Sequence, residues 1–343
     1  MNDSLDKDKV TEVLKTVLDP ELKRDIVSLG MVKDIQVNGP KVAVQLVMTT
    51  SSPVIKKNIQ DEARKKISSL AGVKEVDVQM TQAQRNPAFS VKTPIPGIRY
   101  VIAIASGKGG VGKSTVAVNL ALALAREGNK VGLMDGDIYG PNIPLMLGVD
   151  HATRPHVTPD EKIIPIEVKN IRMISMGVLV PPDQPMVWRG PMLHSAITQF
   201  LQKVDWGELD FLLVDLPPGT GDVQLSLVQT VPLSGAVVVT TPQEVALMDV
   251  RKGIAMFRKT EVPILGIIEN MTGEVFGRGG GKNAATQFQA PFLGEIPLDA
   301  RIREGGDSGV PIVMSSPESP AAKAFFKAAE SLNQTLIELS HSR

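Results

Sequence analysis

Apolar positions recur with two textures along this chain, and the change falls near residue 100. Before it, Val10, Val13, Leu14 and Val17 share one helical face, which predicts a helix over Lys7 to Leu18. Asp19-Pro20 ends that helix, because the residue before proline avoids helical backbone. Val32 to Val37 and Val42 to Met48 alternate or run apolar on either side of Asn38-Gly39-Pro40, a hairpin signal. Ser52-Pro53 opens a second helix through Leu70, Gly72 closes it, and Val73 to Met80 alternates as a third strand. The predicted unit, residues 1–82, is a small α+β domain of order α-β-β-α-β. Residues 83–98 hold Pro87, Pro94, Pro96 and Gly97 with little periodicity, so they read as a linker.

From residue 99 to 343 the pattern predicts a second, larger domain. Short continuous apolar runs at 100–105, 130–134, 171–174, 210–214 and 263–268 alternate with amphipathic helices at 113–126, 191–203 and 244–258. Apolar strands separated by helices predict an α/β fold, a mostly parallel sheet with helices on both faces. Residues 138–170 are proline-rich without a period and read as loop with short strands. A stripe of Phe325, Ala329, Leu332, Leu336 and Leu339 predicts a C-terminal helix packed on the sheet rather than laid on a membrane.

Composition narrows the function classes. Lys+Arg and Asp+Glu number 37 each among 343 residues, so the formal net charge is 37 − 37 = 0. No basic block points to nucleic acid as a partner. Cysteine is absent, which excludes disulfides, cysteine nucleophiles and thiolate metal ligands from this chain. The charged start MNDSLDKDKV has no apolar signal core, and runs such as Tyr100 to Ala105 fall short of a ~20-residue membrane span. A cytoplasmic protein without membrane or nucleic-acid partners is expected.

The chemistry begins at Gly107-Lys108-Gly109-Gly110-Val111-Gly112-Lys113-Ser114, which fits G-x-x-x-x-G-K-[ST] between an apolar strand and a helix. Such a loop turns backbone N–H groups around phosphate oxygens at a helix N-terminus. With Thr115 it forms the expected nucleotide-binding segment. Lys113 is expected to reach the β- and γ-phosphates, and Ser114 to ligate Mg²⁺. Asp210 to Asp215 is an apolar run ending in an acid, at the strand end where ligands of open α/β sheets bind. Asp215 is therefore the expected second Mg²⁺ residue, acting through water. Leu133-Met134-Asp135-Gly136-Asp137 places two further acids at the same edge. The four histidines, His151, His156, His194 and His341, lack metal-ligand spacing and read as structural or solvated.

The second loop lysine, Lys108, resembles the signature of the deviant Walker A motif in the MinD/ParA/Mrp class of P-loop ATPases. DGDIYGPN (135–142), DLPPGTGD (215–222), WRGPM (188–192), Glu269-Asn270-Met271, FGRGGGK (276–282) and LGEIPLD (293–299) make the chain similar to Mrp-type (ApbC-like) iron–sulfur cluster carrier ATPases. That resemblance implies an ATP hydrolase working as a homodimer, with Lys108 reaching across the dimer to the other subunit's nucleotide. It implies Asp137 in the water-orienting switch role, with Asp135 nearby, and adenine contacts around Asn270, Pro297 and Asp299. It also implies delivery of iron–sulfur clusters to apo-protein clients. Asp19-Pro20-Glu21, Asp25-Ile26-Val27 and Leu29-Gly30 resemble the small iron–sulfur assembly domain that precedes many such proteins.

Two departures accompany the resemblance. Ser52 stands where the small domain usually carries a cysteine before proline, and no C-x-x-C follows Glu269-Asn270-Met271. Oxygen is a poor substitute for sulfur on such clusters. No iron–sulfur ligand is assigned within this chain, so a cluster would need a small thiol or a cysteine-bearing partner. The alternative is a client-binding regulatory or chaperone ATPase with no cluster of its own.

Overall fold

In a computed structural model, the described residues are 5–20, 25–29, 31–48, 53–82, 94–137, 140–150, 152–175, 201 and 203–341. The chain divides into two compact units, Met1–Phe89 and Ser90–Arg343.

The first unit runs α1 (Lys7–Leu14), β1 (Val32–Asn38), β2 (Lys41–Met48), α2 (Pro53–Ser68) and β3 (Glu75–Gln82). This is the order read from the pattern. The strands lie in the order β1-β2-β3, with the β1–β2 hairpin antiparallel and β3 parallel to β2. Asp6 caps α1 by accepting from the Lys9 N–H at 2.9 Å. The helix stops at Leu14, four residues before the expected end. Thr16 and Val17 instead donate to Val13 and Leu14, a tighter turn that keeps Val17 buried. Ile59, Ala63 and Ile67 form the α2 stripe that covers Val42, Val44, Leu46 and Val78. Ser52 lies outside the described residues, as do Glu21 and Gly30.

The second unit contains β4 (Ile98–Ser106), α3 (Lys113–Arg126), β5 (Val131–Asp135), α4 (Ile143–Met146), β6 (His156–Val157), β7 (Ile163–Ile164), β8 (Ile166–Val168) and β9 (Ile171–Ser175). After the undescribed stretch come β10 (Leu209–Asp215), α5 (Asp222–Thr230), β11 (Gly235–Thr240), α6 (Glu244–Lys259) and β12 (Ile264–Thr272). It ends with α7 (Gly280–Phe288), β13 (Phe292–Pro297), α8 (Ala300–Asp307), α9 (Ile312–Ser315) and α10 (Pro320–His341). Among the described residues, eight strands form one sheet in the order β13-β12-β11-β4-β10-β5-β9-β8. All neighbours are parallel except the edge strand β8.

Burial explains the arrangement. Every residue of β5 and β11 is buried, as a sheet covered on both faces requires. Along β4 the faces alternate. Ile102 and Ile104 join Leu120, Leu124, Phe325, Ala329 and Leu332 on one side. Val101, Ala103 and Ala105 join Leu227, Val250, Ile254 and Phe257 on the other. The C-terminal stripe is thus spent on the sheet. No helix among the described residues is long and apolar enough to cross a membrane.

Several elements differ from the pattern reading. The strands β11 and β13 and the helices α5, α7, α8 and α9 are additions to it, and α4 lies in the segment read as loop. Residues 94–98, read as linker, join the second unit. Gly97 accepts from the Leu209 N–H at 2.8 Å, and a Cβ on Gly97 would stand 2.5 Å from the Gly207 oxygen. Here glycine marks close backbone approach rather than looseness. The helix read over 191–203 lies outside the described residues except at 201 and 203, and WRGPM lies wholly outside them.

Candidate nucleotide site

At the carboxyl edge of the sheet, β4 ends at Ser106 and the chain turns through residues 107–112 into α3. The turn is tied down at its base. The Ser106 hydroxyl donates to the Lys108 carbonyl at 2.9 Å, and the Gly219 N–H donates to the Ser106 carbonyl at 3.0 Å. Gly112 has φ +78°, and a Cβ there would lie 2.3 Å from Asn270 Nδ2. Only glycine serves both the left-handed backbone and that contact. Gly109 and Gly110 are exposed, Val111 is buried, and Gly107, Lys108 and Thr115 are half-buried.

Lys113 and Ser114 open α3 and meet the end of β10. The Lys113 ammonium donates to Asp215 Oδ1 at 2.6 Å, and the Ser114 hydroxyl donates to Asp215 Oδ2 at 2.6 Å. Asp215 is wholly buried and Lys113 nearly so. Parallel register continues the row: Asp215 pairs with Asp135 on β5, and Asp135 with Ser175 on β9. Asp135 accepts from the Ser175 hydroxyl at 2.9 Å and from the Asp137 N–H at 3.1 Å. Asp137 is half-buried just beyond the strand.

The electrostatics follow from burial. Desolvation pushes the Asp135 carboxyl up to about 7, and the charge on Asp215 pushes the same way; Ser175, the Asp137 N–H and Lys113 pull it back. Asp215 is also raised, chiefly by burial and slightly by Asp137, against the charge and hydrogen bond of Lys113 and the Ser114 hydroxyl. One buried ammonium therefore faces a cluster of carboxylates, and a further cation would relieve the excess. Among the described residues no group of three or more His, Cys, Asp or Glu could cage a metal alone. The Ser114 hydroxyl and Asp215 carboxylate instead fit Mg²⁺, which takes one or two protein oxygens and completes its shell with phosphates and water. Of the histidines, His156 is exposed on β6, and the burial of the other three is not described.

Of the residues implied in adenine contact, Asn270 touches this loop. Asn270 is buried near the end of β12, where its amide donates to the Val111 carbonyl at 2.9 Å. Pro297 ends β13 opposite Thr272, and the Leu298 N–H donates to the Thr272 carbonyl at 2.9 Å. Asp299 has another occupation: it caps α8 through the Arg301 N–H at 2.9 Å and pairs with the Arg301 guanidinium at 2.6 Å. The Arg301 side-chain hydrogen bond, followed by its backbone N–H and its charge, holds the Asp299 carboxyl below the usual range, against the partial burial that would raise it.

Sequence reasoning missed Ser106 and Ser175, whose roles depend on which strands are neighbours. It quoted Glu269 but gave it no part. That carboxylate is wholly buried and accepts from the Gly279 N–H at 2.7 Å and from the Gly281 N–H.

Comparison with known proteins identifies the family and the fold. A family model of the ParA group, described as NUBPL iron-transfer P-loop NTPase, matches residues 97–333. One described as iron–sulfur cluster assembly protein matches residues 7–78. The chain is 46% identical over 342 residues to an iron–sulfur cluster carrier protein of Synechocystis, covering 96% of this chain and 97% of that one. Among solved structures, the nucleotide-binding protein of Archaeoglobus fulgidus in complex with ADP superposes with a TM-score of 0.59 at 35% identity, over 69% of this chain and 95% of that one. The cell-division ATPase MinD of Pyrococcus furiosus does so with 0.55 at 31% identity, over 68% and 98%.

Proposed function

The chain belongs to the NUBPL iron-transfer P-loop NTPase family of the ParA group, and from that premise we propose a Mg²⁺-dependent ATPase that carries or scaffolds iron–sulfur clusters for delivery to apo-proteins in the cytoplasm. The observation that carries this reading is the contact of Lys113 and Ser114 with the two oxygens of Asp215 beside the glycine-rich turn.

Each residue has a task in that reading. The amides of residues 109–113 wrap the phosphates, and Lys113 leaves Asp215 to neutralise the β/γ oxygens. Ser114, with Asp215 through water, would hold Mg²⁺, which would supply charge neutralisation of the β- and γ-phosphates. Asp137 orients the attacking water from the half-buried rim. Lys108, on the same turn, completes the site of a second subunit in a homodimer. Asn270 and the 297–299 turn border the adenine.

The cluster is cargo. Two subunits of a cysteine-free chain contribute no thiolate, so its sulfur ligands come from a small thiol or a cysteine-bearing partner. The same fact favours a second reading, an ATPase that handles apo-protein clients without holding a cluster. Anaerobic reconstitution with iron and sulfide decides between them. With glutathione or a thiol-bearing partner, a stoichiometric cluster by Mössbauer spectroscopy is expected; without added thiol, none is. No cluster under either condition selects the second reading. A stable cluster on thiol-free protein alone overturns the external-thiol assignment.

A further inference from the structure

The pairing of β12 with β13 slips next to the nucleotide loop. Glu269 stands opposite Glu295, but Thr272 stands opposite Pro297. Three steps on one strand against two on the other make a bulge, a device that re-aims side chains near active sites. Met271, inside it, has φ +60°, a left-handed conformation unusual for a side chain of its size.

The bulge holds two buried polar side chains in consecutive positions. Asn270 donates to the Val111 carbonyl, and its amide nitrogen and Met271 Cε fill the space where a Cβ on Gly112 would sit, at 2.3 and 3.3 Å. Glu269 accepts from the amides of Gly279 and Gly281, at the start of α7. The glycine-rich entry to α7 is thus already filled by a carboxylate of the chain itself. Between these contacts runs a small hairpin. Gly273 and Gly277 exchange backbone hydrogen bonds at 3.0 and 2.8 Å, and Val275 at its tip is 74% exposed.

Both links are stiff for one reason. Pulling Val111 from Asn270, or the amides of Gly279 and Gly281 from Glu269, leaves a buried polar group unpaired. Such a loss costs about 1–3 kcal/mol, more where charge is involved. A shift of the turn at Val111 and Gly112 is therefore passed on, not absorbed.

We propose that Glu269 is a positioning residue that couples the nucleotide loop, through Asn270 and the bulge, to the Gly273–Gly277 hairpin. This rests on the nucleotide-site reading above.

The absence of cysteine supplies the test, because Val275→Cys creates a unique position for a spin label. In the full-length chain carrying that label, Mg-ADP should change the label's mobility in the electron paramagnetic resonance spectrum. In Glu269→Gln the amide offers one acceptor oxygen and turns an NH2 toward an N–H. That response should vanish, while calorimetry still detects ADP with Kd raised about tenfold. Gly281→Ala keeps the charge but places a Cβ 2.9 Å from Glu269 Oε2, and the same loss is expected. Circular dichroism identifies a misfolded variant, and the other then decides. Equal label response in the folded variants and the parent overturns the coupling, as does a silent label on a parent that binds ADP. A parent that binds no ADP overturns the nucleotide-site reading and this inference together.

Discussion

Two wholly buried carboxylates lie toward the carboxyl ends of strands in the same sheet, Asp215 closing β10 and Glu269 within β12, and they are answered differently. Asp215 is met by side chains, an ammonium and a hydroxyl. Glu269 is met by backbone amides. Side chains can swing away and be replaced, whereas amides at the start of a helix move only with the helix. The first arrangement suits a site that must exchange ligands, and the second suits a joint that must hold.

Lys113→Ala tests that contrast most severely. It removes the cation facing the phosphates, so ADP and ATP affinity by calorimetry should fall at least ~100-fold, a loss of about 2.7 kcal/mol or more. Unchanged affinity would break the assignment of the loop. Lys108→Ala should keep nucleotide far better than Lys113→Ala yet lose about 100-fold or more in ATP turnover, if its charge acts across a dimer as arginine fingers do. A strict monomer by light scattering, with full turnover, would remove that role. Glu269→Ala should lower the unfolding free energy by about 3 kcal/mol in denaturant titration, because the buried Gly281 amide and the half-buried Gly279 amide at the start of α7 lose their acceptor. The same substitution should leave the Lys113–Asp215 contact in place.

The smallest effect is titration. The folded-state carboxyl of Asp135 lies at about 7, above its ordinary 3.8. The folded protein therefore retains a proton that the unfolded chain releases. This contribution is fully present below about 4 and is lost as pH rises through 7. In nucleotide-free, metal-free protein, stability should fall by about 1 kcal/mol more between pH 6 and 8 in the parent than in Asp135→Asn. Parallel profiles would show that burial of Asp135 is compensated elsewhere.

The legibility of the chain followed the range of the signal. The loop 107–114 and Asp215 were readable because each is a local string, a motif between two elements or an apolar run ending in an acid. The apolar runs gave β4, β5, β9, β10 and β12 to within a few residues at each end. Asp135 with Ser175 was not readable, since β5 and β9 are joined by register and not by sequence. The start of α7 was hidden by its glycines, and β12 outran its apolar stretch because Glu269, Asn270 and Thr272 are buried polar residues. A strand that ends in buried polar groups looks like a loop until the partners of those groups are known.

Lys113, at the end of the glycine-rich turn, is paired with Asp215 at 2.6 Å. If Mg²⁺ and nucleotide bind as proposed, entry to this site would be a double displacement. A bare polyphosphate that takes Lys113 leaves Asp215 exposed to its own negative charge. A bare divalent ion that seeks Asp215 meets an ammonium in its path. Only the two arriving as one complex give both residues a new partner of opposite sign. On the function proposed above, the pair would work as a coincidence gate, favouring the metal–nucleotide complex over either one alone.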